Sequence, residues 1–262
     1  MALQSDTPMR WPAEAIWQAV SPQLPGFSVE ILPRVDSTNS ELMRRARAGH
    51  TDAVLLVAES QSAGRGRLGR QWVSQRGDSL TFSLGLPLAP QDWSGLSLAV
   101  GLSLADSLHP QVGLKWPNDL WIRGHKLGGI LIEAASMGGH SYVVIGVGLN
   151  IQSPAAQGLR TPPAALAQWL PEITAAQALG LVAGPLVAAV QAFAVTGFAP
   201  LQARFHARDV LQGQVVSTPD GVQGLALGVD PRGSLQIETA SGVVSVNSSE
   251  VSVRLSPQQE HT

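Results

Sequence analysis

The chain contains no cysteine. That one absence removes a disulfide framework, a thiolate zinc site and a thiol nucleophile together. Charge of either sign is also scarce, with 17 Lys and Arg against 19 Asp and Glu for a formal net charge of −2 over 262 residues. A polyanion held by bulk electrostatics is not expected, and no nucleic-acid partner is assigned. The amino terminus, MALQSDTPMRWPAEAIW, has no basic segment leading into an apolar one, so it does not read as a secretory signal. No apolar run is expected to reach the roughly 18 residues of a membrane span. The expectation is a soluble, cytoplasmic protein without a membrane partner. Hydrophobic residues are plentiful at 44%, enough for a full core in one large domain or two unequal ones.

Within residues 1–26, Pro8, Pro12, Pro22 and Pro25 break up any long helix. From Phe27, FSVEILPRVDSTNSELMRRARAG reads as a strand, a turn and a helix. Thr38 with Glu41 three residues later fits a capping box, and Gly49 is a stop. Ser37, Thr38 and Asn39 then sit at the mouth of the helix, where capping alone is the bland reading. Val54–Val57 and the alternating Leu80, Phe82, Leu84 and Leu86 read as strands, and Trp93 to His109 as an apolar helix. VGLKWPNDLWI, HKLGGILIEAA and SYVVIGVGLNI are three further strand-like segments. Ala164 to Phe198 reads as helical, broken at Pro171 and at Gly184-Pro185. From Gly213, five short β-branched runs separated by turn signals predict a small all-β barrel. The chain therefore divides into an extension (1–26), an α+β domain (27–208) and a β module (209–262).

The stretch VLLVAESQSAGRGRLGRQW sets Gly64, Gly66 and Gly69 in the G-x-G-x-x-G spacing of a dinucleotide loop. Arg65, Arg67 and Arg70 fill the positions between and after them. A Rossmann loop would open a helix at the third glycine and carry an acidic residue about twenty positions on. Here the chain turns into another strand instead. A P-loop needs Lys-Ser or Lys-Thr where Arg70-Gln71 stands. A nucleic-acid arm would want a basic face extending beyond one loop, with stacking aromatics of which Trp72 is one. A solvated basic turn needs neither the mobile backbone nor the concentrated positive charge.

KWPNDLWI, from Lys115, and HKLGGILIE, from His125, follow in order. Taken singly they are a β-turn with Asn-Asp chemistry and a hairpin return with a surface lysine. Together with STN, GRGRLGRQW, IGVGLN and the terminal β module, they resemble the biotin protein ligases closely, over Phe27 to about Leu255. The resemblance implies an α+β fold in which a mixed-sheet catalytic domain of the biotin/lipoate ligase type precedes a small SH3-like β-barrel. It implies an enzyme that uses ATP and Mg2+ to activate biotin as biotinyl-5'-adenylate. The biotin is then passed to a lysine of the biotin carboxyl carrier protein of acetyl-CoA carboxylase. With only about 26 residues ahead of the core, the ligase-only class without a DNA-binding domain is expected, as a monomer or weak homodimer.

Joining carboxylate to phosphate requires cation density where two anions meet. By resemblance, Lys126, Arg67 and Lys115 carry that chemistry. Gly64, Arg65, Arg67, Arg70, Trp72, Lys115, Asn118 and Asp119 face the nucleotide or adenylate, and Asp119 could help place Mg2+. Ser37, Thr38, Asn39, Gln61, Arg65, Gly66, Arg67 and Lys126 match the biotin pocket. Gly129, Gly146 and Gly148 match positions where backbone approaches the ligand closely. The arginine loop would be an anion cradle that closes over the adenylate and shields the anhydride from water. Within 150–170 no role is carried over, and Trp169 remains only a candidate aromatic. The nearest alternative is a lipoate or octanoate ligase or transferase of the same fold. The GRGRxGRxW loop and the β module separate the two.

Overall fold

The computed structural model describes residues 9–137, 139–154, 163–247 and 253–255. Seven strands form the larger sheet: β1 (Ser28–Leu32), β2 (Val54–Ala58), β3 (Ser79–Pro87), β4 (Gly113–Lys115), β5 (Asp119–Ile122), β6 (His125–Met137) and β7 (His140–Asn150). Their spatial order is β1-β2-β3-β7-β6-β5-β4, and only the β1–β2 pair is parallel. Strand β2, VLLVA, is apolar and buried at every position because both of its faces are covered. Leu55 and Val57 of β2 face the main core, whereas Val54 and Leu56 join Leu42, Met43, Tyr142 and Val144 in a second cluster. The helix α2 (Thr38–Arg47) supplies that second cover. The main core lies under α3 (Leu96–Leu108) and α4 (Ala175–Thr196).

Several local expectations change in three dimensions. The amino-terminal cap of α2 is Ser37, whose side chain accepts from the Ser40 N–H, and Thr38 is the first helical residue. Glu41 does not reach back to close a capping box and instead pairs with Arg44 and Arg45 at 2.6 and 2.8 Å. VGLKWPNDLWI is not one strand but the hairpin β4–β5, with Lys115 opposite Asp119 and the turn between them. Gly184-Pro185 does not end a helix, since α4 runs through both residues. Proline costs an interior helix about 3 kcal/mol, and nine buried side chains along α4, from Ala175 to Phe193, offset it. By length and composition α4 is also long and apolar enough to cross a membrane, contrary to expectation. Its buried stripe, however, packs into the main core with α3. In the extension, α1 (Ala13–Val20) starts after Pro12 and buries Ile16 and Val20.

The β module is a five-stranded antiparallel sheet of β8 (Val215–Ser217), β9 (Gln223–Val229), β10 (Leu235–Thr239), β11 (Gly242–Val246) and β12 (Arg254–Leu255), ordered β11-β10-β9-β8-β12. Part of the expected last strand, residues 251–252, lies outside the described residues, as do 155–162. Beyond α5 (Gln202–His206), the chain extends the edge of β4: Leu114 N donates to Arg208 O at 2.7 Å and Val210 N to Leu114 O at 3.0 Å. A second tie comes from the buried Trp116, whose Nε1 donates to Gly233 O at 3.0 Å. The KWPND turn is thereby fastened to both sheets.

Candidate active site

A cavity of about 940 Å3 opens beside β3, β6 and β7. One wall is neutral and polar. Thr38 N donates to Gln61 Oε1 at 2.8 Å, and the Thr38 hydroxyl lies 3.2 Å from the same oxygen. The buried Ser83 Oγ donates to Asn39 Oδ1 at 2.6 Å and lies 2.7 Å from Thr38 Oγ1. Asn39 Nδ2 donates in turn to Leu131 O at 3.1 Å and to Glu133 Oε2 at 2.9 Å. Both amide hydrogens and one oxygen lone pair of Asn39 are therefore committed within the protein. Asn39 acts as a strut of this wall, and Thr38 and Gln61 carry the polar atoms beside it.

The arginine loop closes the opposite side as a tight hairpin. Trp72 N donates to Gly64 O at 2.9 Å and Gly66 N to Arg70 O at 2.7 Å. The reversal is made by Leu68 and Gly69, both left-handed with φ of 55° and 70°. Glycine takes that conformation freely and leucine at a cost, so the tip is strained on one side. The loop is tethered as well: Arg65 Nη2 meets Glu133 Oε2 at 2.6 Å. Arg67 is partly buried. Burial pushes its guanidinium down from the ordinary arginine value; the charge of Asp119 opposes this and that of Arg70 adds to it.

The third side is the β4–β5 hairpin. Lys126 Nζ lies 2.7 Å from Asp119 Oδ1. Lys115 Nζ sits over the Trp121 ring, 4.7 Å from its centre, within cation–π range. Asn118 turns its amide into the fold, donating to Ile130 O at 2.7 Å. The registers explain the grouping: Lys115 pairs with Asp119, and Trp121 with both Gly113 and Lys126, so one hairpin face collects two cations, a carboxylate and an indole. Among the described residues, no group of three or more histidines and carboxylates forms a metal cage.

All the residues given a site role from the sequence border this cavity except Gly64, which serves the hairpin behind it. The glycines have reasons the motifs did not reveal. A side chain at Gly146 would collide with the Asn39 amide, and one at Gly148 with the Trp72 indole. These two make room for protein groups that build the wall. At Gly129 and Gly66 a methyl group would meet only ordinary contacts, the nearest at 3.4 and 3.6 Å. Trp72 lines the cavity, and its Nε1 is buried with no hydrogen-bond partner among the described residues. Trp169 packs against the core and does not line the cavity. Ser83, Trp121 and Glu133 went unread. A serine in the middle of a strand buried at eight of nine positions, and a glutamate closing the apolar run of KLGGILIE, were the available signals.

Residues 31–150 match the Biotin/lipoate A/B protein ligase family and residues 215–254 the Biotin protein ligase C terminal domain. The bifunctional ligase/repressor BirA of Escherichia coli is 34% identical over 249 residues, 88% of this chain and 76% of that protein. The biotin--[acetyl-CoA-carboxylase] ligase of Paracoccus denitrificans is 32% identical over 84% of this chain and 98% of its own length. The enzyme of that name from Mycobacterium tuberculosis is 43% identical over 138 residues, 48% of this chain and half of that protein. Among solved structures, biotin protein ligase from Aquifex aeolicus in complex with biotin and ATP superposes with a TM-score of 0.75 at 26% identity, covering 87% of this chain and 99% of that one. These matches favour the biotin branch over the lipoate alternative. The chain belongs to the biotin/lipoate protein ligase family, as a biotin protein ligase.

Proposed function

We propose that the cavity carries both half-reactions of ATP-dependent protein biotinylation. In the first, a biotin carboxylate oxygen attacks the α-phosphorus of ATP and pyrophosphate leaves, giving biotinyl-5'-adenylate. In the second, the ε-amine of a carrier-protein lysine attacks the acyl carbon and AMP leaves. Neither step needs a nucleophile from the enzyme; both need two anions held together while charge builds on the phosphate. One observation carries the assignment: Arg65, Arg67, Lys115 and Lys126 border the same cavity as a neutral polar wall. A molecule that is a uncharged ring at one end and a carboxylate at the other fits that polarity.

In this reading the Thr38–Gln61 side receives the ureido ring, whose N–H and C=O groups must be satisfied once buried. Lys126 meets the carboxylate and α-phosphate, held ready by Asp119. Lys115, steadied over Trp121, faces the outer phosphates. Arg67 and Trp72 close over the adenylate. Partial burial of Arg67 supports its part, because a cation already stripped of water gains more from an arriving phosphate. A single carboxylate such as Asp119 fits Mg2+, which binds one or two carboxylates together with substrate phosphates; bound there, the ion would neutralise phosphate charge. The acceptor is proposed to be the carrier domain of a biotin-dependent carboxylase, met by a cytoplasmic monomer or weak homodimer. The net charge of −2 supports a reading without nucleic acid. The test is incubation with biotin, ATP, Mg2+ and such a domain. A mass gain of one biotinyl group that disappears when the acceptor lysine is replaced is expected, and no gain would overturn the reading.

A further inference from the structure

We propose that Glu133 is a positioning residue that joins the arginine loop to the biotin wall, so that the two order as one unit. The proposal rests on the ligase reading only for which ligand each part holds. Its geometry is independent of that reading. A single carboxylate oxygen, Glu133 Oε2, receives Arg65 Nη2 at 2.6 Å and Asn39 Nδ2 at 2.9 Å. Arg65 belongs to the loop hairpin and Asn39 to the first turn of α2, 26 residues apart in sequence. Among the described contacts these two meet at Glu133. The carboxylate is well placed for the task. Gly129, Leu131 and Glu133 follow at two-residue spacing along an unbroken stretch of the β6–β7 ladder, and the first two line the cavity.

On the wall side the connection is stiff. Asn39 is gripped at both ends, by Leu131 O and Glu133 on its nitrogen and by Ser83 on its oxygen, and Gly146 lies against it. The loop side is weaker. Arg65 keeps 44% of its side-chain surface exposed, so the Arg65–Glu133 pair is the part that opens first. Moving Arg65 away removes the cation that the described contacts place on the carboxylate and leaves the neutral Asn39 amide as its remaining described donor. Ligand that fixes Asn39 and its neighbours consequently favours the closed loop, and a closed loop favours the wall. This is reciprocal coupling between two parts of one site. It assigns the charge of Glu133 no contact with biotin or nucleotide.

The experiment compares wild type, Glu133→Gln, Arg65→Gln and the double variant in the full chain. Hydrogen exchange of the Gly66–Arg70 backbone is measured first without ligand. Biotin affinity is then measured by calorimetry. Glutamine keeps the shape and removes the charge, so Glu133→Gln is expected to speed loop exchange roughly two- to fivefold, the scale of a half-exposed ion pair. Added to Arg65→Gln, it should bring no further acceleration. Biotin affinity should fall in both single variants and fall less than the product of the two factors in the double. A residue that merely supported β6 would act equally in either background. Unchanged loop exchange in a folded Glu133→Gln protein, or factors that simply multiply, would overturn the proposal. Coupled loop exchange in a wild type that binds no biotin would instead sink the ligase reading and leave the connection standing.

Discussion

Asp209 sits where the chain leaves the large sheet, bridged to Leu114, the neighbour of Lys115. Its Oδ1 accepts from Leu211 N at 2.9 Å, while its Oδ2 is buried with no hydrogen-bond partner among the described residues. Burial pushes the carboxyl up from 3.8 to about 6, although the Leu211 N–H and the charge of His206 both favour the carboxylate. The folded protein therefore holds this proton more tightly than the unfolded chain does. The resulting stability is complete below the unfolded value of 3.8 and is lost as pH rises through about 6. The gap between the two values corresponds to about 3 kcal/mol. Asp209→Asn carries no such proton. Its buried amide costs about 1–3 kcal/mol at every pH, so the diagnostic is the slope and not the offset. Urea unfolding of both proteins from about pH 3.5 to about pH 7.5 should show the variant gaining on wild type by about 3 kcal/mol, mostly above pH 4. A difference that stays constant across that range would refute the reasoning, because it would mean Asp209 is ionised at no cost when folded.

Ser83→Ala removes the donor to Asn39 from the dry side of the wall; the loss should be about 1–3 kcal/mol, lowering Tm by roughly 2–4 °C per kcal/mol in calorimetry. An unchanged Tm with unchanged biotin affinity would remove Ser83 from the site. Gly148→Ala drives a methyl group into the Trp72 indole, costing about 1–3 kcal/mol in denaturant unfolding, and Trp72→Ala in the same chain should recover most of it. Lys126→Ala should lower pyrophosphate release roughly 100- to 1000-fold, whereas Arg67→Gly should let adenylate escape and label a non-cognate protein. Full acceptor selectivity in Arg67→Gly would contradict the role given to that arginine.

The family and most of the strands were legible from end to end of the chain. Alternation in LTFSLGL and continuous burial in VLLVA are one-dimensional records of which faces a strand hides. Motif order carried the chemistry because adenylation demands clustered cations, and cations at fixed spacing survive as a readable pattern. Elements failed to read where a tertiary contact outweighed a local preference. Pro185 reads as a helix break until the nine buried side chains of α4 are counted. Thr38 reads as a cap until Gln61 and Ser83 draw its hydroxyl into the wall and leave capping to Ser37.

By itself the sequence determined the two-part architecture, the family and the cationic residues that border the cavity, because each is written in local periodicity or in contiguous motifs. Only the tertiary structure decided which groups hold those residues in place. Glu133 lies 68 positions from Arg65 and 94 from Asn39, and Gly148 must be small because Trp72 folds onto it from 76 positions away. Separations of that kind leave no periodic trace, since they are created when β7 and β6 pair and the arginine hairpin closes over them.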